Sequence, residues 1–514
     1  MSGPGTKALY EHLIGVLASS PRRPVARLLP GGGALDVDSF ERRVVGAERR
    51  LVRLGGGPGR PAVARPGAGD LVLLSARNRD SYLVALATLW KRGLVPLLAD
   101  ADLSRVEIAD LVATFRPAAC LLDRRAFPNG GSPEDLGEAL PGLHAWVPGP
   151  RPGRRAEPSP SSATLARAAI VRLTSGSTGR PRGVAVTSEQ LIADSRNICA
   201  TMGLQPGDTL VGAIPLGHAY GFVHILMALA LLGSRVVLLE QPLPALLSEA
   251  LSGPGPLVLP GTPYLFDLLL QAAGRRRFKG LRLCLSAGAP LPERLSRAFK
   301  ERFGLPIRTF YGASECGGIC YDRSRDGILP DGCVGTPLEG VQVGVRPERG
   351  LEEGAGRIVV TSQAVALGCF PEAPAGGDPG DGVFVTSDLG RIDGDGRVHL
   401  AGRIDRLINV GGRKVNPAEV EAAIRRLPGV QGVAVFGVPD RHRGQAVCAC
   451  VVATKGLTRE ALLAACRQRL APFKIPRRVE FAGRLPLTAR GKTDRRALAA
   501  LVSPRAATTA SRPA

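Results

Sequence analysis

The sequence predicts an α/β protein: a large N-terminal domain of parallel-rich sheets covered by helices, then a small α+β domain. Three observations carry that expectation. From about Asp70, short apolar runs alternate with stretches of helical period, as in parallel strands buried on both faces. At 514 residues the chain is too long for one hydrophobic core. Near residue 400 the pattern changes to that of a compact unit of about a hundred residues. The domains are accordingly expected at 1–402 and 403–500, with 501–514 a disordered tail.

In chain order, "DLVLLSA", "LVPLLAD" and "ACLLD" are strands, separated by the helices "RDSYLVALATLWKRG" and "SRVEIADLVATFRP". The Pro-, Arg- and Ser-rich stretch from Pro148 to Ala163 has no apolar period and is expected to be a mobile connector. "ARAAIVRL" is a strand leading into a glycine-rich loop. A helix over "TSEQLIADSRNICATMGL" follows, with Thr187 and Gln190 spaced as a capping box. Strands recur at "RVVLLE", "PLVLPG", "LRLCLSAGA" and "PIRTFYGAS". In the small unit a helix begins at Asn416 as cap, with Pro417 in its first turn and Glu419 three residues on. "GVAVFGV" and "AVCACVVA" are strands and "TREALLAACRQRL" is a helix.

Composition bounds the function. With 44% hydrophobic and 22% charged residues the chain fits a soluble globular enzyme. Its net charge of +22 suits anionic partners such as nucleotides, CoA or an acidic carrier protein, or reflects a solvated arginine-rich surface. Only 4% of residues are aromatic and no basic run is interleaved with stacking rings, so nucleic acid is not an expected partner. Ten cysteines are scattered; Cys316, Cys320 and Cys333 have no paired knuckle or histidine to complete a zinc site, and reduced thiols in a cytoplasmic protein are expected. The N-terminal segment lacks the pattern of a secretion signal. The longest apolar stretch is broken by Gly233 and Arg235, too early for an integral membrane segment.

The chemistry concentrates in a few loops. "LTSGSTGRPRG", Leu173 to Gly183, can turn several backbone N–H groups toward one point and add hydroxyl donors, a nest for phosphate oxygens, though it is not a Walker loop. "SAGAP" and "YGASE" each follow a strand, where loops line the ligand crevice of an open parallel sheet. A tyrosine there can stack on a purine, and Glu315 can bind Mg²⁺ together with phosphate oxygens. Asp388 in "TSDLGRIDGDG" can accept from ribose hydroxyls, Arg403 suits phosphate, and Lys492 sits in "LPLTARGKTDRRAL".

These stretches, together with "IPLGHAYG" and "GRIDRLINVGGRKVNPAEVE", occur in the order and rough spacing of the adenylate-forming superfamily. The chain resembles its acyl-CoA synthetase, or AMP-dependent ligase, type over about residues 10–500. The resemblance implies that a carboxylate attacks the α-phosphate of ATP, giving acyl-AMP and pyrophosphate, and that a thiol then takes the acyl group. It implies a phosphate loop of Thr174, Ser175, Gly176, Ser177, Thr178 and Gly179. Ser286, Ala287, Gly288, Ala289 and Pro290, with Tyr311 and Gly312, would flank the adenine. Ser314 would sit by the α-phosphate with Glu315 on Mg²⁺, Asp388 on the ribose, and Arg403 near ribose and phosphates. Lys492, Thr178, Glu315 and His218 are thereby the candidate catalytic residues. His218, Tyr220, Gly221, Gly288, Gly312 and Gly317 would line the acyl pocket. In similar enzymes the small domain is mobile and rotates about the aspartate here numbered Asp405; Gly411 and Gly412 would then border the thiol tunnel.

Four positions depart from the family pattern. Arg182 stands where lysine is usual, Ser188 where many members have histidine, Ser387 where glycine is usual, and Arg406 where a second aspartate is found. None of them removes an assigned group, so an inactive relative is not expected, and no G-x-S-x-G elbow supports a serine hydrolase. "IPLGHAYGFVHIL" carries no acidic residue to hold an ammonium, which disfavours amino acids. Gly317, Gly318, Ala219 and Phe222 are expected to leave room for an apolar body. The expected acid is a medium- or long-chain fatty acid, with an aromatic acid as the alternative. CoA is the expected acceptor, with a free-standing acyl carrier protein second.

Overall fold

Strongly apolar segments of the first 370 residues assemble two mixed sheets in the computed structural model. The structure describes residues 5–19, 24–53, 66–123, 138–140, 143–146, 162–175, 181–272, 274, 276–348, 351–371, 377, 379–410, 413–440, 444–454, 456–470, 472–487, 493–494 and 497–498. The expected connector therefore lies outside them apart from its last two residues, which begin the helix Ser162–Arg167, and the expected tail lies outside them entirely.

A nine-stranded sheet runs in the order Thr336–Pro337, Gly317–Tyr321, Ile307–Ala313, Leu281–Ser286, Leu257–Gly261, Thr209–Gly212, Arg235–Leu239, Pro24–Leu29, Ala34–Asp36. Its central strands are parallel and its edges antiparallel. An eight-stranded sheet runs Gly368–Phe370, Pro181–Val186, Ile170–Ser175, Val95–Ala99, Leu71–Ser75, Ala119–Asp123, Leu143–Trp146, Glu138–Leu140. Here Val95–Ala99 is parallel to both neighbours, which is why its five residues are apolar and fully buried. The helix Asp80–Lys91 buries ten successive side chains, including Tyr82 and Trp90; its apolar residues are not confined to one stripe because it is enclosed all round. The Thr187–Gln190 capping box forms as expected at the helix Ser188–Met202.

One expectation is corrected. The glycine-rich loop does not lead from a strand into a helix. "PRGVAV" is itself a strand, Pro181–Val186, antiparallel to Ile170–Ser175, with Thr174 opposite Arg182 and Ser175 opposite Pro181. The two strands thus pair directly, and residues 176–180 between them lie outside the described residues.

The chain divides into two compact units, the second comprising residues 347–357, 387–391 and 400–514. Within the second unit, Arg413–Val415, Ile408–Val410, Gly444–Ala453 and Val430–Asp440 pair in that order, and Arg478–Phe481 joins Gly444–Ala453 in parallel. The helices Pro417–Arg425 and Arg459–Arg469 pack in its core through Val420, Ile424, Leu462 and Cys466. Asn416 caps the first, accepting from the Ala418 amide at 3.1 Å. None of the ten cysteines is in a disulfide; nine are buried and Cys369 is half-buried. Among the described residues no helix is long and apolar enough to cross a membrane.

Candidate functional site

In the first unit the candidate residues gather where strands end. Leu257–Gly261, Leu281–Ser286 and Ile307–Ala313 are parallel neighbours, with Gly261 opposite Ser286 and Ser286 opposite Thr309. Ser286 is buried and its hydroxyl has no hydrogen-bond partner among the described residues. After it the backbone turns at Gly288, whose φ of +83° suits glycine and whose missing Cβ leaves open space; Ala289 and Pro290 are exposed. Tyr311 is half-buried one strand away. The chain then reverses as a hairpin into Gly317–Tyr321, with Ser314 and Glu315 in the turn, and the Glu315 carbonyl accepts from the Ala366 amide at 2.9 Å. Of the expected phosphate loop, Thr174 is placed at the strand end, half-buried, its hydroxyl without a hydrogen-bond partner among the described residues, and the Ser175 backbone ends that strand. Gly176, Ser177, Thr178 and Gly179 lie outside the described residues. Arg182 and Ser188 are buried, at 7% and 1% exposure.

The "PLGHAYG" segment is fixed from the other sheet. Asn78 donates to the carbonyls of Gly212 and Ile214 at 3.0 and 2.8 Å, and its own carbonyl accepts from the Leu216 amide at 2.9 Å. A Cβ on Gly217 would run into the Ala99 carbonyl, so only glycine allows this approach to the strand end. His218 then places its Nε2 2.9 Å from Oδ2 of Asp100. An acidic group thus does stand beside the motif, contributed by "LLAD" 118 residues earlier, and it is engaged by the imidazole.

Tyr220 is half-buried and donates its hydroxyl to the Leu285 carbonyl at 2.8 Å. Its ring stacks on Phe310 at 5.9 Å and meets His224 edge-on at 4.6 Å. His224 lies in a π-helical segment, Phe222–Met227, of the kind that often marks a functional position. Its Nδ1 is 3.1 Å from the Tyr220 carbonyl, which fixes the proton there and leaves Nε2 buried as an unpartnered acceptor among the described residues. The expected room for an apolar body is partly taken. The space a Cβ would need at Gly317 holds the Asp194 carboxylate, and that at Gly318 holds Phe310 and Leu338. Phe222 is fully buried against Trp90. Likewise Gly312 backs onto the Gly317 carbonyl and Gly221 onto that of Pro215, so these glycines serve close packing.

Burial pushes His224 down from 6.5 to about 4. Between those values the unfolded chain takes up a proton that the folded chain refuses. Stability from this residue is therefore complete above about pH 6.5 and is lost as pH falls toward 4, by at most about 3 kcal/mol. His224→Leu should lose less stability than the parent between pH 7 and 4.5. Urea unfolding of both proteins at three pH values checks this, and parallel losses would show that His224 is not the titrating group.

In the second unit Arg403 reaches Asp388 at 3.2 Å, bringing together the two residues expected at ribose and phosphate. Gly402 has a φ of +144°, and a Cβ there would strike Asn416, whose amide donates to the Ala401 carbonyl at 2.6 Å. Ser387 is buried and Arg406 exposed. Asp405 lies in the single turn Ile404–Arg406, its side chain outside the described residues. Gly411, Gly412 and Lys492 are also outside them; Thr493, next to Lys492, pairs with Leu487. Among the described residues no three His, Cys, Asp or Glu side chains converge on a metal position. A single carboxylate at Glu315 fits Mg²⁺ only in the manner of an ion held jointly by substrate phosphates.

Three residues went unsingled in the sequence: Asp100, Arg172 and Asp194. The first two leave a trace, because a charge at the end of or within an apolar strand is rare unless paired. Arg172 is 2% exposed, ion-paired to Asp194 at 3.7 Å, and donates to the Ser314 carbonyl at 3.4 Å.

This architecture is that of adenylate-forming enzymes. The crystal structure of ATP-bound MatB from Rhodopseudomonas palustris is similar with a TM-score of 0.76 and 25% identity, over 95% of this chain and 98% of that one. The chain belongs to the AMP-binding enzyme family: residues 66–370 match the profile of that family, and residues 419–492 that of the AMP-binding enzyme C-terminal domain. A feruloyl-CoA synthase from Amycolatopsis sp is 31% identical over 466 residues, 86% of this chain and 90% of that protein. A long-chain-fatty-acid–CoA ligase from Bacillus subtilis (strain 168) is 32% identical over 342 residues, 64% of this chain and 61% of that protein. The matched part spans less than two thirds of the latter.

Proposed function

We propose that the protein is an AMP-forming acid–thiol ligase. It joins a carboxylic acid to ATP, releases pyrophosphate, and passes the acyl group from acyl-AMP to the thiol of CoA. One observation carries this reading: the Ser286–Pro290 loop, Tyr311 and the Ser314–Glu315 turn leave the carboxyl ends of adjacent strands. ATP would take the space over these ends, with Thr174, Ser175, Gly176, Ser177, Thr178 and Gly179 as the loop that holds its phosphates. Mg²⁺ would neutralise phosphate charge between Glu315 and the nucleotide. Asp388 and Arg403 would hold the ribose side, Lys492 would bridge the carboxylate and the α-phosphate, and a small domain from residue 403 would turn about Asp405 to open the Gly411–Gly412 passage. Cytoplasmic CoA would be at hand.

The favoured acid is a fatty acid of medium or long chain, since the "IPLGHAYGFVHIL" segment itself carries no acidic residue and Asp100 is held by His218. The Tyr220–Phe310 stack and the filled space at Gly317 and Gly318 favour a second reading, an aromatic acid. A panel of fatty, aromatic, dicarboxylic and amino acids in acid-dependent ATP–pyrophosphate exchange should give a clear preference for one apolar class. Product formation should then follow with CoA. No exchange with any acid sinks the ligase reading, and acylation of phosphopantetheinylated carrier proteins with CoA inert sinks the acceptor.

A further inference from the structure

We propose that Arg172 and Asp194 are positioning residues that brace the Ser314–Glu315 turn against the strand feeding the phosphate loop; this rests on the reading of that turn proposed above.

The turn is gripped at both ends. The Arg172 Nη1 donates to the Ser314 carbonyl at 3.4 Å. Asp194 Oδ1 accepts from the Gly318 amide at 2.8 Å. Arg172 lies on Ile170–Ser175 of the eight-stranded sheet, two residues before Thr174 and so on the same strand face. Asp194 lies on the helix Ser188–Met202, whereas the turn belongs to the nine-stranded sheet. The pair thus couples that turn to the strand end at Thr174, the two places that would face the two ends of a triphosphate. Gly317 has a φ of +73°, and a Cβ there would overlap the Asp194 carboxylate, so the turn is folded onto this acid.

As a source of stability the pair is poor. Both side chains are 3% exposed, their charges are 3.7 Å apart, and Arg172 Nε and Nη2 and Asp194 Oδ2 have no hydrogen-bond partner among the described residues. Burial pushes the Asp194 carboxyl up and the Arg172 guanidinium down. Desolvation of such a pair generally costs as much as the attraction returns, and neutral replacements of similar size are tolerated. What the charges do supply is direction: a cation on a carbonyl and an anion on an amide, at opposite ends of one turn. The Arg172 cation also feels Glu315, so the brace contributes to the field at the turn's own carboxylate.

The test separates position from stability. Arg172→Met and Asp194→Asn each strand one buried charge and should melt earlier than the parent. The double variant Arg172→Met/Asp194→Asn removes both charges, keeps an acceptor for the Gly318 amide, and should melt near the parent. It should nevertheless bind AMP about tenfold or more weakly, with adenosine affinity unchanged, and lose exchange by about ten- to a hundredfold, the scale for residues that orient a site at one remove. Parental AMP affinity and exchange in the double variant would overturn the brace, as would an equal loss for adenosine. Glu315→Ala, made alongside, distinguishes the two failures. Wild-type exchange there removes the assignment of the turn and the brace with it; lost exchange there with a fully active double variant removes the brace alone.

Discussion

Lys492→Ala should lower acid-dependent ATP–pyrophosphate exchange by about a thousandfold while sparing acyl transfer from supplied acyl-AMP to thiol. Both partners in the first step are anionic, and charge grows on the equatorial oxygens as the carboxylate reaches phosphorus. A cation already in place avoids reorganisation at that moment. In the second step the thiol attacks the acyl carbon, the bond from that carbon to the phosphate oxygen breaks and AMP leaves; no pentavalent phosphorus forms, so the cation that served the first step is not required there. A bulky side chain at Gly412 should give the opposite pattern: normal exchange and impaired transfer, because the obstruction falls on the thiol. The measurement is exchange and single-turnover transfer on each variant. Normal exchange in Lys492→Ala would refute the bridging role.

Glu315→Ala should reduce exchange by about a hundredfold or more, the scale for removing one preorganised contact to developing charge, and should raise the Mg²⁺ concentration for half-maximal rate. The Glu315 backbone is held independently of its carboxylate, by the Ala366 amide on its carbonyl and the hairpin register on either side, so the loss should be chemical rather than structural. An unchanged melting temperature checks that. An unchanged Mg²⁺ requirement with wild-type exchange would remove the carboxylate from the metal.

Much of the fold is legible because buried strands and enclosed helices write their period locally. "LVPLLA" and "SYLVALATLW" need only neighbouring residues to be read. The Pro181–Val186 strand was hidden because six residues sit between a glycine-rich loop and a strong helix cap, and both neighbours invite a continuous loop-to-helix reading. The site divides in the same way. Loops at strand ends are visible as motifs, and the Asp388–Arg403 pair joins residues singled out separately. Asp100 with His218, and Arg172 with Asp194, are pairings across tertiary space; no local pattern encodes a partner 118 residues away. The room expected at the glycines after Glu315 is partly taken for the same reason. Glycine signals that a side chain is missing, but only the packing tells whether the vacated volume stays open or is filled from elsewhere, as it is by Asp194 and Phe310.

The placement of the cysteines governs how the acceptor reaction can be watched. Only a thiolate attacks a disulfide reagent, and burial pushes Cys199 and Cys448 up to about 12 and raises Cys120, Cys284 and Cys320 as well. With nine of ten sulfurs enclosed, the folded chain should titrate with little more than the single half-buried Cys369. Disappearance of CoA thiol can therefore be followed colorimetrically over a nearly silent protein background. A sudden rise of that background toward ten equivalents would report unfolding in the same cuvette.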